Sequence, residues 1–63
     1  MNFYLHFSGK KLQLTAPSSD LAISLAKEIL HERKATFAYL FKSTTAVSFI
    51  CCFELVKNHY VVR

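Results

Sequence analysis

Residues 3–15 read FYLHFSGKKLQLT, a stretch that predicts two strands joined by a tight turn. Apolar side chains alternate with more polar ones on both sides of Gly9, and this period of two is typical of half-buried strands. Glycine readily adopts the positive φ that a two-residue hairpin turn requires. With Gly9 and Lys10 as the turn, the apolar side chains of both strands share one face, which predicts an antiparallel hairpin. The facing pairs in this register are Phe7 with Leu12, Leu5 with Leu14, and Phe3 with Ala16.

A helix is predicted directly after this hairpin. Pro17 is followed by two serines and Asp20, residue types that cap helix N-termini or lie near the positive end of the helix dipole. The predicted helix runs to about Arg33 and is amphipathic, with a narrow apolar stripe that needs a sheet to pack on. The stripe consists of Leu21, Ala22, Leu25, Ala26, Ile29 and Leu30.

Strand-like sequence returns after the predicted helix. Residues 36–42 alternate, residues 43–45 are a polar loop, and residues 46–56 form a longer segment of high strand propensity. A three-residue loop pairs the two segments so that the bulky side chains share one face, which we predict to be the helix-covered face. The predicted pairs are Phe41 with Val47, Tyr39 with Phe49, and Phe37 with Cys51, with Phe53 on the same face.

The chain ends with a predicted short fifth strand. Asn58 and His59 form the turn, which sets Leu55 opposite Val62 and Glu54 opposite Arg63. The sequence therefore predicts one α+β domain over residues 1–63, in the order β-β-α-β-β with a short additional strand. One helix packs on one face of an antiparallel or mixed sheet. Whether the third strand pairs with the first or the second is left open.

The composition indicates a folded, non-membrane protein. In 63 residues the hydrophobic fraction is 52%, above that of disordered chains. The longest apolar run, residues 46–53, is far shorter than the roughly 20 residues of a membrane-spanning helix. The N-terminus lacks the pattern of a signal peptide, so we expect a cytoplasmic protein without a membrane partner.

The residues that carry chemistry form no recognisable catalytic, cofactor or metal site. Cys51 and Cys52 are adjacent, so on a strand they point to opposite faces, cannot chelate one ion together, and are expected to be free thiols. Glu28 and Glu32 lie one helical turn apart on the predicted solvent side. A single glycine excludes a glycine-rich phosphate loop. We therefore expect no enzyme and no cofactor.

The net charge of +4 predicts a basic end of the fold. The first hairpin turn, the end of the helix and the last turn all lie at one pole in this connectivity, whereas Lys42 lies at the other. A small basic nucleic-acid-binding module is therefore the alternative function. The predicted burial of the aromatic rings argues against it, because only Tyr4 stays on the helix-free face. The basic pole consists of Lys10, Lys11, Arg33, Lys34 and Lys57, with His31 and His59 nearby.

The helix-free face of the sheet is the predicted binding surface. One helix cannot cover both faces, so an apolar group on the second face predicts a protein partner or the seam of a homodimer. We therefore expect a non-enzymatic binding or regulatory protein, such as an inhibitor that covers part of a host protein. Small accessory proteins of phages and mobile elements offer an analogy of size and architecture. Leu40→Glu is expected to weaken association rather than folding. The predicted contact residues are Ala38, Leu40, Ile50, Cys52, Val56 and Val61.

Overall fold

The structure is a computed structural model that describes residues 1–43 and 48–63. In these residues one helix and five strands follow in the order β-β-α-β-β-β. All four neighbouring strand pairs are antiparallel, and the sheet order is β2-β1-β3-β4-β5. The predicted α+β fold is confirmed, and the third strand pairs with the first. The elements are β1 (Asn2–Phe7), β2 (Lys10–Thr15), α1 (Ser19–Arg33), β3 (Phe37–Ser43), β4 (Ser48–Val56) and β5 (His59–Val62).

The first hairpin turns one residue earlier than predicted. Ser8 and Gly9 form the turn and both have positive φ, 50° and 73°, as in the turn type whose twist matches that of antiparallel strands. Leu5 therefore pairs with Leu12, and Phe3 pairs with Leu14. The predicted register is wrong by two residues. A shift of two keeps every side chain on its face, so the prediction of a shared apolar face is confirmed.

Helix α1 has the predicted boundaries and defined caps at both ends. The Ser18 hydroxyl oxygen accepts a hydrogen bond from the Leu21 backbone N–H at 3.3 Å, which satisfies one of the free donors of the first turn. At the other end Lys34 is left-handed, with φ 56°, and its N–H donates to the His31 carbonyl. The Ala35 N–H donates to the Leu30 carbonyl at 3.0 Å, which closes the helix.

The helix buries a narrower stripe than the sequence predicts. Its buried residues are Ala22, Ala26 and Leu30, which are spaced by four and form a single row. Leu21 and Leu25 were predicted to join this stripe but are 50% and 39% exposed. A row that begins with two alanines lets the helix axis approach the sheet closely, and on the neighbouring row Leu21 and Leu25 stay outside the contact while Ile29, also predicted in the stripe, packs against the core.

Strand β3 packs the face predicted to be helix-free against the helix, and exposes the face predicted to be covered. Leu40 lies opposite Leu5 of β1, and paired residues of antiparallel strands share a face. Leu40 therefore follows Leu5 into the core, where both are fully buried, and Ala38 is buried beside them. The prediction that the rings of β3 are covered by the helix is wrong.

A bulge in β4 explains why the predicted pairing of β3 and β4 fails. Leu40 pairs with Cys51, but the next residue of β3, Phe41, pairs with Phe49, so that Ile50 is the extra residue. A one-residue change of register moves side chains to the other face. Cys51 consequently joins Leu40 in the core, while Phe49 joins Phe41 on the helix-free face. The predicted pair of Phe41 with Val47 involves a residue outside the described ranges.

The predicted fifth strand is confirmed, with its turn one residue earlier, at Lys57 and Asn58. Tyr60 pairs with Leu55 and is buried, and its hydroxyl donates a hydrogen bond to the Ala35 carbonyl. This bond ties β5 to the end of the helix. A buried carbonyl at a helix end needs such a donor, because leaving it without one costs about 1–3 kcal/mol.

The face assignment predicts unequal costs for two truncations on the same sheet. Leu40→Ala should lower the free energy of unfolding by about 2–5 kcal/mol, because it opens a cavity at a fully buried position. Phe49→Ala, the matched control on the other face, should lower it by less than about 1 kcal/mol. Urea unfolding followed by circular dichroism measures both. Equal losses, or a larger loss at Phe49, would mean that the two faces are reversed.

Candidate functional site

The helix-free side of the sheet carries a continuous group of rings on its central strands, here termed the aromatic face. Its rings come from alternate positions of β1 and β3 and from the bulged part of β4. Three of the side chains are well exposed, Phe37 at 41%, Tyr39 at 45% and Phe49 at 55%. Large exposed apolar groups that lie side by side are uncommon on a monomer and mark interaction surfaces. The aromatic face consists of Tyr4, His6, Phe37, Tyr39, Phe41 and Phe49.

The rings of the aromatic face hold one another in place. Tyr39 lies between Phe37 and Phe41, with ring centroids 5.0 and 6.5 Å away, and Phe49 lies 6.3 Å from Tyr39 and 5.8 Å from Phe41. His6 extends the group to β1, 5.0 Å from Phe41. The rings are tilted or edge-to-face, the arrangements that aromatic pairs prefer. The surface is therefore largely ordered before any partner arrives.

A basic ridge borders the aromatic face on the side of β2. His6 and Lys11 are paired across β1 and β2, and the Lys11 ammonium lies 4.5 Å from the centroid of the Tyr4 ring, a cation–π contact. Clefts of about 470 and 130 Å³ open on the two sides of this ridge. The larger is lined by residues 7–10, Phe37 and Tyr39 in addition to the ridge, and the smaller by Tyr4 and Phe41.

Charge is distributed unevenly between the helix and the rest of the chain. Helix α1 carries three acidic and two basic side chains, whereas the remaining residues carry six basic and one acidic side chain. That one acid, Glu54, is paired with Arg63 at 3.2 Å on the exposed sheet surface. The chain outside the helix therefore holds a net charge of +5 against −1 on the helix. This asymmetry favours an anionic partner on the sheet side.

The predicted partner-binding residues do not form the expected group. Ala38 and Leu40 are buried in the core beneath the helix, so the prediction that they lie on the helix-free face is wrong, and with it the expectation that Leu40→Glu spares folding. Ile50 is half-buried at the bulge and packs against the core. The other three are half-buried on the helix-free side, where Cys52 pairs with Tyr39. A contact role for these three, Cys52, Val56 and Val61, stays a prediction.

The predicted basic pole lies at one end of the fold but is spread across it. The antiparallel order puts the β1–β2 turn, the end of α1 and the β4–β5 turn at the same end, with Lys42 at the other. Lys10 lies on the edge strand β2, however, whereas Lys57 lies in the turn between β4 and β5, more than three strand spacings or about 15 Å away. Of these residues Lys11 borders the aromatic face, whereas Lys10 pairs with the buried Phe7 and so lies on the other face.

The two cysteines lie on opposite faces of β4, as predicted. Cys51 is buried in the core, and burial raises the pKa of its thiol. Cys52 is half-buried on the other face, with its sulfur 3.8 Å from the Arg63 carbonyl oxygen. Within residues 1–43 and 48–63, no group of three or more His, Cys, Asp or Glu side chains is arranged to hold a metal ion.

Comparisons with known proteins identify no relative. The chain matches no family model, and no curated protein or solved structure is significantly similar to it. In the part of the chain that the structure describes, no helix has the length and apolar character needed to cross a membrane. The function must therefore be argued from the aromatic face and the charges around it.

The two thiols should differ in reactivity. Because only the thiolate is nucleophilic, both the raised pKa of Cys51 and its burial slow alkylation, and Cys52 should react at least about tenfold faster at pH 8. Timed iodoacetamide labelling with peptide mass spectrometry gives both rates, and Cys52→Ser isolates the slow one. Equal fast labelling would mean that β4 is not packed under the helix.

Proposed function

We propose that this chain is a non-enzymatic binding module that holds single-stranded nucleic acid on its aromatic face. The observation that carries the proposal is the exposure of Phe37, Tyr39 and Phe49 on a sheet whose own charge is strongly positive. Small sheets commonly bind single strands in this way, with bases stacked on aromatic rings and phosphates held by nearby cations. A cytoplasmic location, as expected from the sequence, would give access to such strands.

Stacking would supply sequence-independent affinity. The core is complete without the aromatic face, since the sheet buries Phe3, Leu5, Leu40 and Phe53 fully against the helix. The outer rings are therefore free to be used elsewhere. Base stacking on an aromatic side chain contributes about 1–3 kcal/mol per base and tolerates any base, because every base has a π-face.

The surrounding charge would supply attraction to the phosphates. Lys11 flanks the ring group on β2, and the three acids of α1 lie on the other layer of the fold. Glu54, the acid on the sheet, already has a cationic partner in Arg63. Affinity should consequently fall with rising salt, because binding releases counterions condensed on the strand and this release is less favourable at high salt concentration.

A protein partner or a second copy of the chain is the second candidate for the same face. The sequence alone favours a protein partner, because it predicts that the aromatic rings are buried in the core. The rings are exposed in the structure, so burial no longer argues against a nucleic acid. An apolar surface with Phe37 and Phe49 would also suit contact with a regulated protein. Two copies joined face to face would bring like charges together, whereas a nucleic acid would neutralise them.

Single aromatic substitutions should weaken binding of a fluorescein-labelled twelve-residue oligothymidylate. Phe37→Ala, Tyr39→Ala and Phe49→Ala should each reduce affinity about 5- to 150-fold, the equivalent of one lost stacking contact. Leu25→Ala, an exposed apolar truncation on the helix, is the matched control and should leave affinity unchanged. Fluorescence anisotropy at 50 mM and 200 mM NaCl measures affinity and its salt dependence.

The same experiment has outcomes that reject the proposal. No binding at 50 mM NaCl, or equal binding by all four variants, would remove the nucleic acid as the partner. Sedimentation of the free proteins then tests the second candidate. A dimer that dissociates in the Phe37, Tyr39 and Phe49 variants but not in Leu25→Ala would favour a second copy on this face.

A further inference from the structure

The two clefts beside the His6–Lys11 ridge are successive steps along one pair of strands. His6 pairs with Tyr39, and Tyr4 pairs with Phe41, two residues further along the same strands. Two residues of a strand span about 6.7 Å. The larger cleft uses Tyr39 as an aromatic wall and the smaller uses Phe41. The surface thus repeats an aromatic wall with a period of about 6.7 Å.

This period matches neighbouring bases only when they are unstacked from one another. Stacked bases in a helical strand rise about 3.4 Å per nucleotide, roughly half the distance between the two aromatic walls. Bases that occupy both clefts must therefore separate and stack on the protein instead. Such splayed bases are typical of single-strand recognition, and a base-paired duplex does not offer them.

Lys11 and His6 line both clefts, and this shared position suits the phosphate that links two nucleotides. In a dinucleotide the linking phosphate lies between the two bases, and the ridge lies between the two clefts. The Lys11 ammonium is already directed over this face, 4.5 Å from the Tyr4 ring centroid. A lysine ammonium acts as a compact point charge toward phosphate.

Building on the proposed function, we infer that the unit of recognition is a dinucleotide, with one base in each cleft and the linking phosphate at Lys11. The smaller cleft, lined by Tyr4, His6, Lys11 and Phe41, limits the size of the base it accepts. A pyrimidine has one ring and a purine two, so a probe that carries thymine fits the smaller cleft best.

The test compares thymidylyl-thymidine with thymidine monophosphate by NMR titration of the intact protein. The dinucleotide should bind at least about fivefold more tightly, because a second base is stacked. It should shift backbone signals in both clefts, at Gly9 and Tyr39 and also at Tyr4 and Phe41. The monophosphate carries more charge on its phosphate, so charge alone predicts the reverse order.

Variants at the ridge separate the role of Lys11 from general attraction. Lys11→Gln should weaken binding of the dinucleotide, because the linking phosphate loses its cation, and Lys11→Arg, which keeps the charge, should preserve most of the affinity. Lys42→Gln, a charge removal at the opposite end of the fold, is the matched control and should leave the affinity of the dinucleotide unchanged.

Failure of this inference is distinguishable from failure of the proposed function. If the twelve-residue strand binds through the aromatic face but the dinucleotide binds no better than the monophosphate, the two-cleft inference is wrong and the proposed function stands. Equal effects of Lys11→Gln and Lys42→Gln would also reject it. If the longer strand does not bind at all, both are wrong.

Discussion

The pairing of β3 with β1 is the constraint on which the rest of the structure depends. It places Leu40 opposite Leu5, and because facing residues of antiparallel strands share a side, the whole of β3 is oriented by that one pair. Leu40 and Ala38 then lie under the helix. Every ring of β3 is consequently directed to the other side, and the bulge at Ile50 brings Phe49 to join them.

Small side chains from both layers line the contact between the helix and β3. Ala22 and Ala26 of the helix and Ala38 of the sheet are buried small side chains, and the rings buried between the two layers, Phe3 and Phe53, come from the strands on either side of β3. The rings of β3 itself lie on the face that has no helix. Their exposure is uncommon for a monomer, and it is the observation on which the proposed partner rests.

Much of the fold is predictable from local sequence signals, whereas the face of β3 is not. Alternation, the caps around Ser18 and the positive-φ turns identify the elements, and the adjacency of Cys51 and Cys52 is enough to separate the two thiols. Both faces of β3 are apolar, however, so its alternation does not reveal which one is buried. The β1–β3 pair joins strands about 35 residues apart, and the β4 bulge leaves no mark in the sequence.

The most direct test of the account is an NMR titration of the protein with the twelve-residue oligothymidylate, observed at the aromatic ring signals and at the methyl groups of Ala22, Ala26 and Leu30. The account predicts that the rings of Tyr39, Phe41 and Phe49 shift strongly while these methyl groups of the buried helix row stay in place. Shifts confined to the helix, or ring signals that respond only to the concentration of the protein itself, would contradict it.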